Sequence, residues 1–288
     1  MHQFPDEFFF INTGMQKTNE REVDDMMKSH QRRIREERDE LGSDCDLFGD
    51  WYSSLDKKLV NTEIKRIDYN TARKMIEAYE WIGTMPLPKS CRYIFGIYFE
   101  GCLGGVEVFV EPSTRQFNEQ YPRKVVQLNR GACAYWTPKN TASYFISRCL
   151  KLLKDEGVIA VIAYCTVEAG EFGTIYQSLG FDYVGDTAPS KTYFLDGHWI
   201  AERTLADKKK WAKGKGDIWV DIFNRLPSRG IQPKFRYLKL IGTHKQNKEF
   251  LQTYHYVKKS YPKRNTKRGY HGSNREGVGS TLISLQDL

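Results

Sequence analysis

The sequence predicts an α/β (α+β) protein: a mixed, mostly antiparallel central sheet flanked by helices, with a charged helical arm before it and a basic extension after it. Three observations point there. Residues 158–185, VIAVIAYCTVEAGEFGTIYQSLGFDYVG, pass from an apolar β-branched stretch of strand length through a small polar loop and a short helix to a Gly-Phe stop and another strand. Two β-rich runs, 91–99 and 103–110, flank Glu100-Gly101 as an antiparallel hairpin with a tight turn. Charge is segregated along the chain, which sets the two ends apart from the middle.

The elements come in this order. Residues 1–58 form the arm and its linker. In 18–41 only Val23, Met26, Met27, Ile34 and Leu41 interrupt alternating charges, the pattern of a solvated helix, and 42–50 (GSDCDLFGD) is an acidic Gly-containing linker. Residues 59–200 form the core. A strand at 63–67 precedes a helix at 70–79, where Ala72, Met75, Ile76 and Tyr79 recur at helical spacing behind a cap at Asp68 or Asn70. After the hairpin come a strand at 124–129, a Pro-Lys-Asn turn and a helix at 141–154. The strand at 158–165, the short helix at 174–179 and two closing strands before residue 197 complete the order β, α, β-hairpin, β, α, β, α, β, β. Residues 201–264 are the basic extension, with a helix at 202–213, a strand at 234–241 and a helix at 245–257. Residues 265–288, rich in Gly, Ser, Asn and Arg, read as a flexible tail.

A chain of 288 residues with 40% apolar and 14% aromatic residues can bury a substantial core. No apolar run approaches the roughly 18 residues of a membrane span, so a membrane partner is not expected. Six cysteines without a C-x-x-C pair read as reduced, buried thiols in a cytoplasmic protein. The net charge of +8 resolves into −5 over residues 1–200, +14 over 201–270 and −1 over 271–288. A basic stretch interleaved with Trp211, Trp219, Phe235, Tyr237, Tyr254, Tyr256 and Tyr261 is suited to phosphate contact and base stacking, although some of these rings must be core. The expected phosphate contacts are Lys208, Lys209, Lys210, Lys234, Arg236, Lys263 and Arg264.

Three constellations carry candidate chemistry. In Pro138-Lys139-Asn140-Thr141-Ala142-Ser143 a strand gives way to a helix whose first amides favour an anion, and Asn140 reads equally well as a simple N-cap. In Gly173-Thr174-Ile175-Tyr176-Gln177 the phenol of Tyr176 is a candidate general acid, with Thr174 and Gln177 beside it and Glu168 and Glu171 in the preceding loop. In Glu80-Trp81-Ile82-Gly83 a carboxylate and a stacking ring end the first helix. Other chemistries lack their motifs: there is no H-x-E with P-C-x-x-C, no P-loop and no G-x-S-x-G, and the six histidines have no metal-ligand spacing.

The strand, loop, short helix and Gly-Phe of 158–185 resemble the end of the Gcn5-related N-acetyltransferase fold. Gly173-Thr174-Ile175-Tyr176-Gln177 and the Pro-Lys-Asn stretch narrow the resemblance to the Mom family of phage DNA-modification proteins. It covers residues 60–196, with weaker echoes at 233–237 and 261–264. It implies transfer of a carbamoylmethyl-like group to the N6 amine of adenine in double-stranded DNA, protecting that DNA from restriction endonucleases. The base is extruded from the stack for this chemistry. The donor implied is acetyl-CoA or another acyl-CoA-like molecule, with the metal requirement and oligomeric state, a dimer among the options, left open.

The resemblance makes Tyr176 the acid toward the departing thiolate; Glu80, at the family's polar-aromatic position, and Glu168 and Glu171, by their closeness in sequence, are the candidate base or positioning carboxylates. It gives Arg130, Asn140 and Ser143 to the donor, and Trp81, Thr174 and Gln177 to the base. The chain departs from the family at Glu80-Trp81, where His-Tyr is frequent, and at Thr166, where an acid is usual. Two other functions stay open: an N-acetyltransferase acting on a small-molecule or protein amine, and an inactive DNA-binding member of the fold.

Overall fold

The computed structural model describes residues 55–167, 170–195, 198–212 and 217–263. The charged helix expected at 18–41, its linker, the tail, Glu168 and Arg264 lie outside the described residues.

A seven-stranded sheet organises the core. Its strands are β1 (Glu63–Arg66), β2 (Cys91–Phe99), β3 (Cys102–Val110), β4 (Val125–Cys133), β5 (Ala160–Cys165), β6 (Asp182–Asp186) and, from much later in the chain, β10 (Phe235–Leu240). The order across the sheet is β1-β2-β3-β4-β5-β10-β6, antiparallel except for the β4–β5 pair. This is the mixed, mostly antiparallel sheet that the sequence predicts. Glu100 and Gly101 join β2 to β3 at φ of 45° and 85°, the left-handed pair that a two-residue hairpin needs to match strand twist.

Helices close both faces. On one face α3 (Thr141–Asp155) buries Phe145, Ile146, Cys149, Leu150 and Leu153 against Phe95, Phe109, Leu128 and Val161. The short α4 (Thr174–Ser178) lies on the same face through Tyr176. On the other, α1 (Tyr69–Tyr79) buries Ala72 and Ile76 against Val106, Val108 and Ala132. The remaining half of that face is closed by Phe117 of α2 (Arg115–Gln120) and Phe250 of α7 (His244–Thr253). Residues alternate between the faces along each central strand, Val161 and Ala163 packing with α3 while Ala160 and Ile162 pack with α7. Of the two candidate caps for α1 the fold uses Asp68, whose carboxylate accepts from Thr71 N at 2.9 Å.

Two boundaries differ from expectation. The strand at 190–195 does not close the core. It is β7 (Ser190–Leu195) of a separate sheet ordered β8-β7-β9, with β8 (His198–Ala201) and β9 (Ser228–Ile231). This sheet and helices α5 (Glu202–Ala212) and α6 (Asp217–Asn224) share a small core around Leu205 and Phe223. The last core strand is instead β10, which slots between β5 and β6. The division at residue 200 is therefore corrected: residues 190–231 are an insertion, and the chain then returns to the core as an integral strand. Strand pairing is a long-range choice, and β10, apolar at Phe235, Tyr237, Leu238 and Leu240, can bury both faces where a strand with Lys191 cannot.

Candidate active site

Strands β4 and β5 run side by side for only four residues. Val125 to Leu128 pair with Ala160 to Ala163, and there the ladder stops. At that point β4 slips one residue against β3, with Val108 opposite Arg130 and Phe109 opposite Leu128, so Asn129 is the extra residue of a β-bulge. Beyond the bulge β4 stays with β3 while Tyr164 and Cys165 pair with Arg236 and Phe235. The two strands part, and a cavity of about 560 Å³ opens between them. It is of ligand size.

Its walls come from several segments, Glu107 of β3 among them. Residues 129–133 of β4 form one side and Tyr164, Cys165 and Thr166 the other. Ala142 and Ile146 bring the first turn of α3, Gly173 to Tyr176 bring α4, and Glu80, Trp81 and Ile82 bring the end of α1. Lys234 completes the rim.

Tyr176 is the centre of this arrangement. Its ring packs on Phe181 and Tyr237, with centroids 5.3 and 5.5 Å away. Burial pushes its phenol well above the ordinary value, and the nearby Cys165, Glu107, Glu171 and Tyr237 push the same way. The support beneath α4 is Tyr237, a fully buried residue of β10. Its hydroxyl donates to Phe172 O at 2.7 Å and accepts from Gln177 Nε2 at 3.0 Å. Gly173 caps the helix at φ 70° directly over that ring, and a Cβ there would run into Tyr237. Gln177 also donates to Phe172 O at 2.8 Å. Its expected role at a base edge is corrected accordingly, because its amide is used to hold the turn and it does not line the cavity. Thr174 is exposed and lines the cavity, as a base-contacting residue would.

Charged groups gather at the mouth. Glu80 accepts from Ile82 N at 2.9 Å and Gly83 N at 3.0 Å, which folds the chain back so that Trp81, 40% exposed, stands at the rim. Arg130 Nε lies 3.9 Å from Glu80 and donates to Thr84 O at 2.8 Å, while Nη1 donates to Asn129 O. Arg130 thus ties the end of α1 to the bulge of β4 while lining the cavity. Glu171 accepts from Thr166 N at 3.0 Å. Burial raises its carboxyl, Thr166 N opposes this, Glu80 reinforces it, and Trp81 and Lys234 oppose it. Glu171, rather than Glu168, is therefore the loop carboxylate for which a cavity position is described.

The cap expected of Asn140 on α3 is corrected. Asn140 occupies the N-cap position at φ 70°, left-handed, and its side chain makes no cap bond, because that backbone turns it away from the helix amides. Ser143 Oγ donates to Asn140 O at 3.0 Å, and neither residue lines the cavity. The bulky loop before them folds inward, with Trp136 edge-on to Phe99 at 5.5 Å and Thr137 buried. The side that α3 does present to the cavity is Ala142, in its first turn, where helix amides lack intrahelical acceptors.

Residues 61–263 match the Mom protein family. The chain belongs to that family. No curated protein matches the sequence. Among solved structures the chain is similar to an IAA acetyltransferase from Bacillus cereus at 11% identity and a TM-score of 0.37, covering 62% of this chain and 99% of that one. The ribosomal-protein-S18-alanine N-acetyltransferase from Escherichia coli gives 9%, 0.38, 63% and 95%, and the spermidine/spermine N-acetyltransferase SpeG from Vibrio cholerae 12%, 0.40, 66% and 98%, in the same order. At scores of this size the fold assignment stands on the strand order and the parting of β4 from β5.

Of the residues expected to act at the site or on DNA, the structure places Tyr176, Glu80, Trp81, Thr174, Arg130 and Lys234 around one cavity. The basic residues are dispersed. Lys208 and Lys210 are on α5, and Lys209 of the same helix donates to Asn224 at 2.8 Å. Arg236 lies half-buried on β10 beside Tyr164. Lys263 is exposed two residues after Tyr261, whose hydroxyl donates to Phe181 O at 2.8 Å. No helix among the described residues is long and apolar enough to cross a membrane.

Proposed function

We propose that this Mom-family chain transfers a small acyl group from a CoA-type donor to the N6 amine of adenine in DNA; a carbamoylmethyl product, joined to nitrogen through its CH2, would need a rearrangement after that transfer. The observation that carries it is the half-buried Tyr176, whose phenol stands on the wall of a cavity opened by the parting of β4 and β5. A phenol held above its ordinary value keeps its proton at neutral pH. It therefore has a proton to give to a departing thiolate as the carbon–sulfur bond breaks.

The residues present fit such a donor. The bulged edge of β4 from Asn129 to Cys133 offers a polar backbone wall, and the first turn of α3 at Ala142 offers helix amides to an anionic group. A CoA-type donor supplies an activated carbonyl carbon; this chain's residues position it and manage protons. At the mouth, Trp81 offers a face on which an extruded base can stack. The excess of +14 over residues 201–270 supports a polyanionic acceptor.

The test is mass spectrometry of nucleosides from the DNA of a bacterium expressing the chain, beside one expressing Tyr176→Phe. A heavier deoxyadenosine is expected with the first and not the second, while both proteins retain DNA affinity. Unmodified DNA from cells holding folded protein would remove DNA as the acceptor.

A further inference from the structure

Among the described residues Glu107 is the only Asp or Glu that is fully buried, at 3% exposure. It sits in the middle of β3, in Val106-Glu107-Val108-Phe109, paired with Phe95 on one side and Gly131 on the other. Val106 and Val108 face α1, so Glu107 faces the opposite side, toward α3 and the cavity, which its side chain helps to line. A carboxyl in such a strand is expensive unless it is neutral or paired.

The titratable groups that interact with it are Cys149 of α3 and Tyr176 of α4, with Cys133 acting on Cys149, and Cys165, Glu171 and Tyr237 acting on Tyr176. None is a cation. Burial alone pushes the carboxyl well above the ordinary carboxylate range. Neighbouring Gly131 has no left-handed backbone to explain it, yet a Cβ there would run into the Glu107 carboxyl. The glycine leaves room for that carboxyl at the cavity floor.

We propose that Glu107 is the proton acceptor of the transfer. The two mouth carboxylates are already engaged, Glu80 by two backbone amides and Glu171 by Thr166 N, whereas Glu107 reaches the same cavity with no such bond among the described residues. The step rests on the acyl transfer proposed above, with an acyl thioester as donor. The lone pair of the amine forms the bond to the carbonyl carbon, and the carbon–sulfur bond breaks with its electrons on sulfur. Tyr176 gives its proton to that sulfur. Glu107, ionised, takes the proton released by the amine, directly or across one water, and returns it to the Tyr176 oxygen. A positioned carboxylate is effective for such a transfer once it is ionised.

The experiment is steady-state modification of DNA by the full chain as wild type, Glu107→Gln and Glu107→Asp across pH, with a melting curve for each. The wild-type rate is expected to rise with pH along one limb placed above the ordinary carboxylate range. Glu107→Gln should lose on the order of 10²-fold in kcat at near-unchanged KM, without that limb and without melting earlier than wild type. Glu107→Asp should recover part of the rate and keep a limb. A Gln variant within about threefold of wild type, limb intact, overturns the role of Glu107 and leaves acyl transfer to DNA standing. A Gln variant that is inactive and melts earlier makes the residue structural, which also overturns it. Wild type that never modifies DNA overturns the acceptor assignment and this inference with it.

Discussion

Replacing Gly173 by alanine tests whether Tyr237 supports the helix that carries Tyr176. Two physical terms act at once. The residue sits at φ 70°, where a side chain costs roughly 1–2 kcal/mol, and its Cβ would meet the Tyr237 ring, with Cζ at 2.6 Å and the hydroxyl oxygen at 2.8 Å. Tyr237 is fully buried, so the ring cannot swing clear without disturbing β10, and overpacking of this kind costs about 1–3 kcal/mol. Together they predict a loss of about 2–5 kcal/mol, or a fall in Tm of roughly 4–20 °C for a domain of this size. Gly157→Ala is the control, since Gly157 sits at φ 85° with nothing within 4 Å of where the methyl would stand, leaving only the backbone term. The assay is thermal unfolding of both variants beside wild type. Equal drops would refute the contact with Tyr237 as the reason for Gly173, and no drop in either would refute the backbone term as well. Because α4 presents Tyr176, DNA modification should fall further in Gly173→Ala than in Gly157→Ala at a temperature where both are folded.

Two further outcomes depend on charge. Glu107 has its folded pKa raised above the ordinary 4.5, so above that pH the unfolded chain releases a proton that the folded chain keeps, and wild-type stability declines as pH rises until the folded pKa is reached. Glu107→Gln lacks this slope, roughly 1 kcal/mol for each pH unit, so its Tm should gain on wild type from acid to neutral pH; parallel curves would contradict a buried neutral acid. Changing Lys208, Lys209 and Lys210 together to Gln should weaken DNA binding and flatten the plot of log affinity against log salt by about two to three. An unchanged slope removes α5 from the footprint.

Much of the core was legible because its signals are local. The Glu100-Gly101 turn, the periodicity of α1 and α3 and the apolar run of β5 each depend on neighbours within a few residues. Tyr176 was legible through its motif, and Trp81 and Glu80 through their place at the end of a helix. The hydrogen-bond partners of Gln177, Arg130 and Ser143, and the missing cap bond of Asn140, were not. A polar side chain near a site can point into it or be spent on the backbone, and only the tertiary arrangement separates the two.

By itself the sequence determined most of the core elements in chain order, the hairpin, the family and the concentration of positive charge after residue 200. Tertiary structure alone decided that β10 enters the sheet between β5 and β6, that Tyr237 lies under α4, and that Glu107 faces a cavity. Each of these depends on which strands pair and which face a helix covers. In a sheet covered on both sides, an inward carboxyl leaves no alternation to mark it, and a strand inserted from more than forty residues away leaves no local trace.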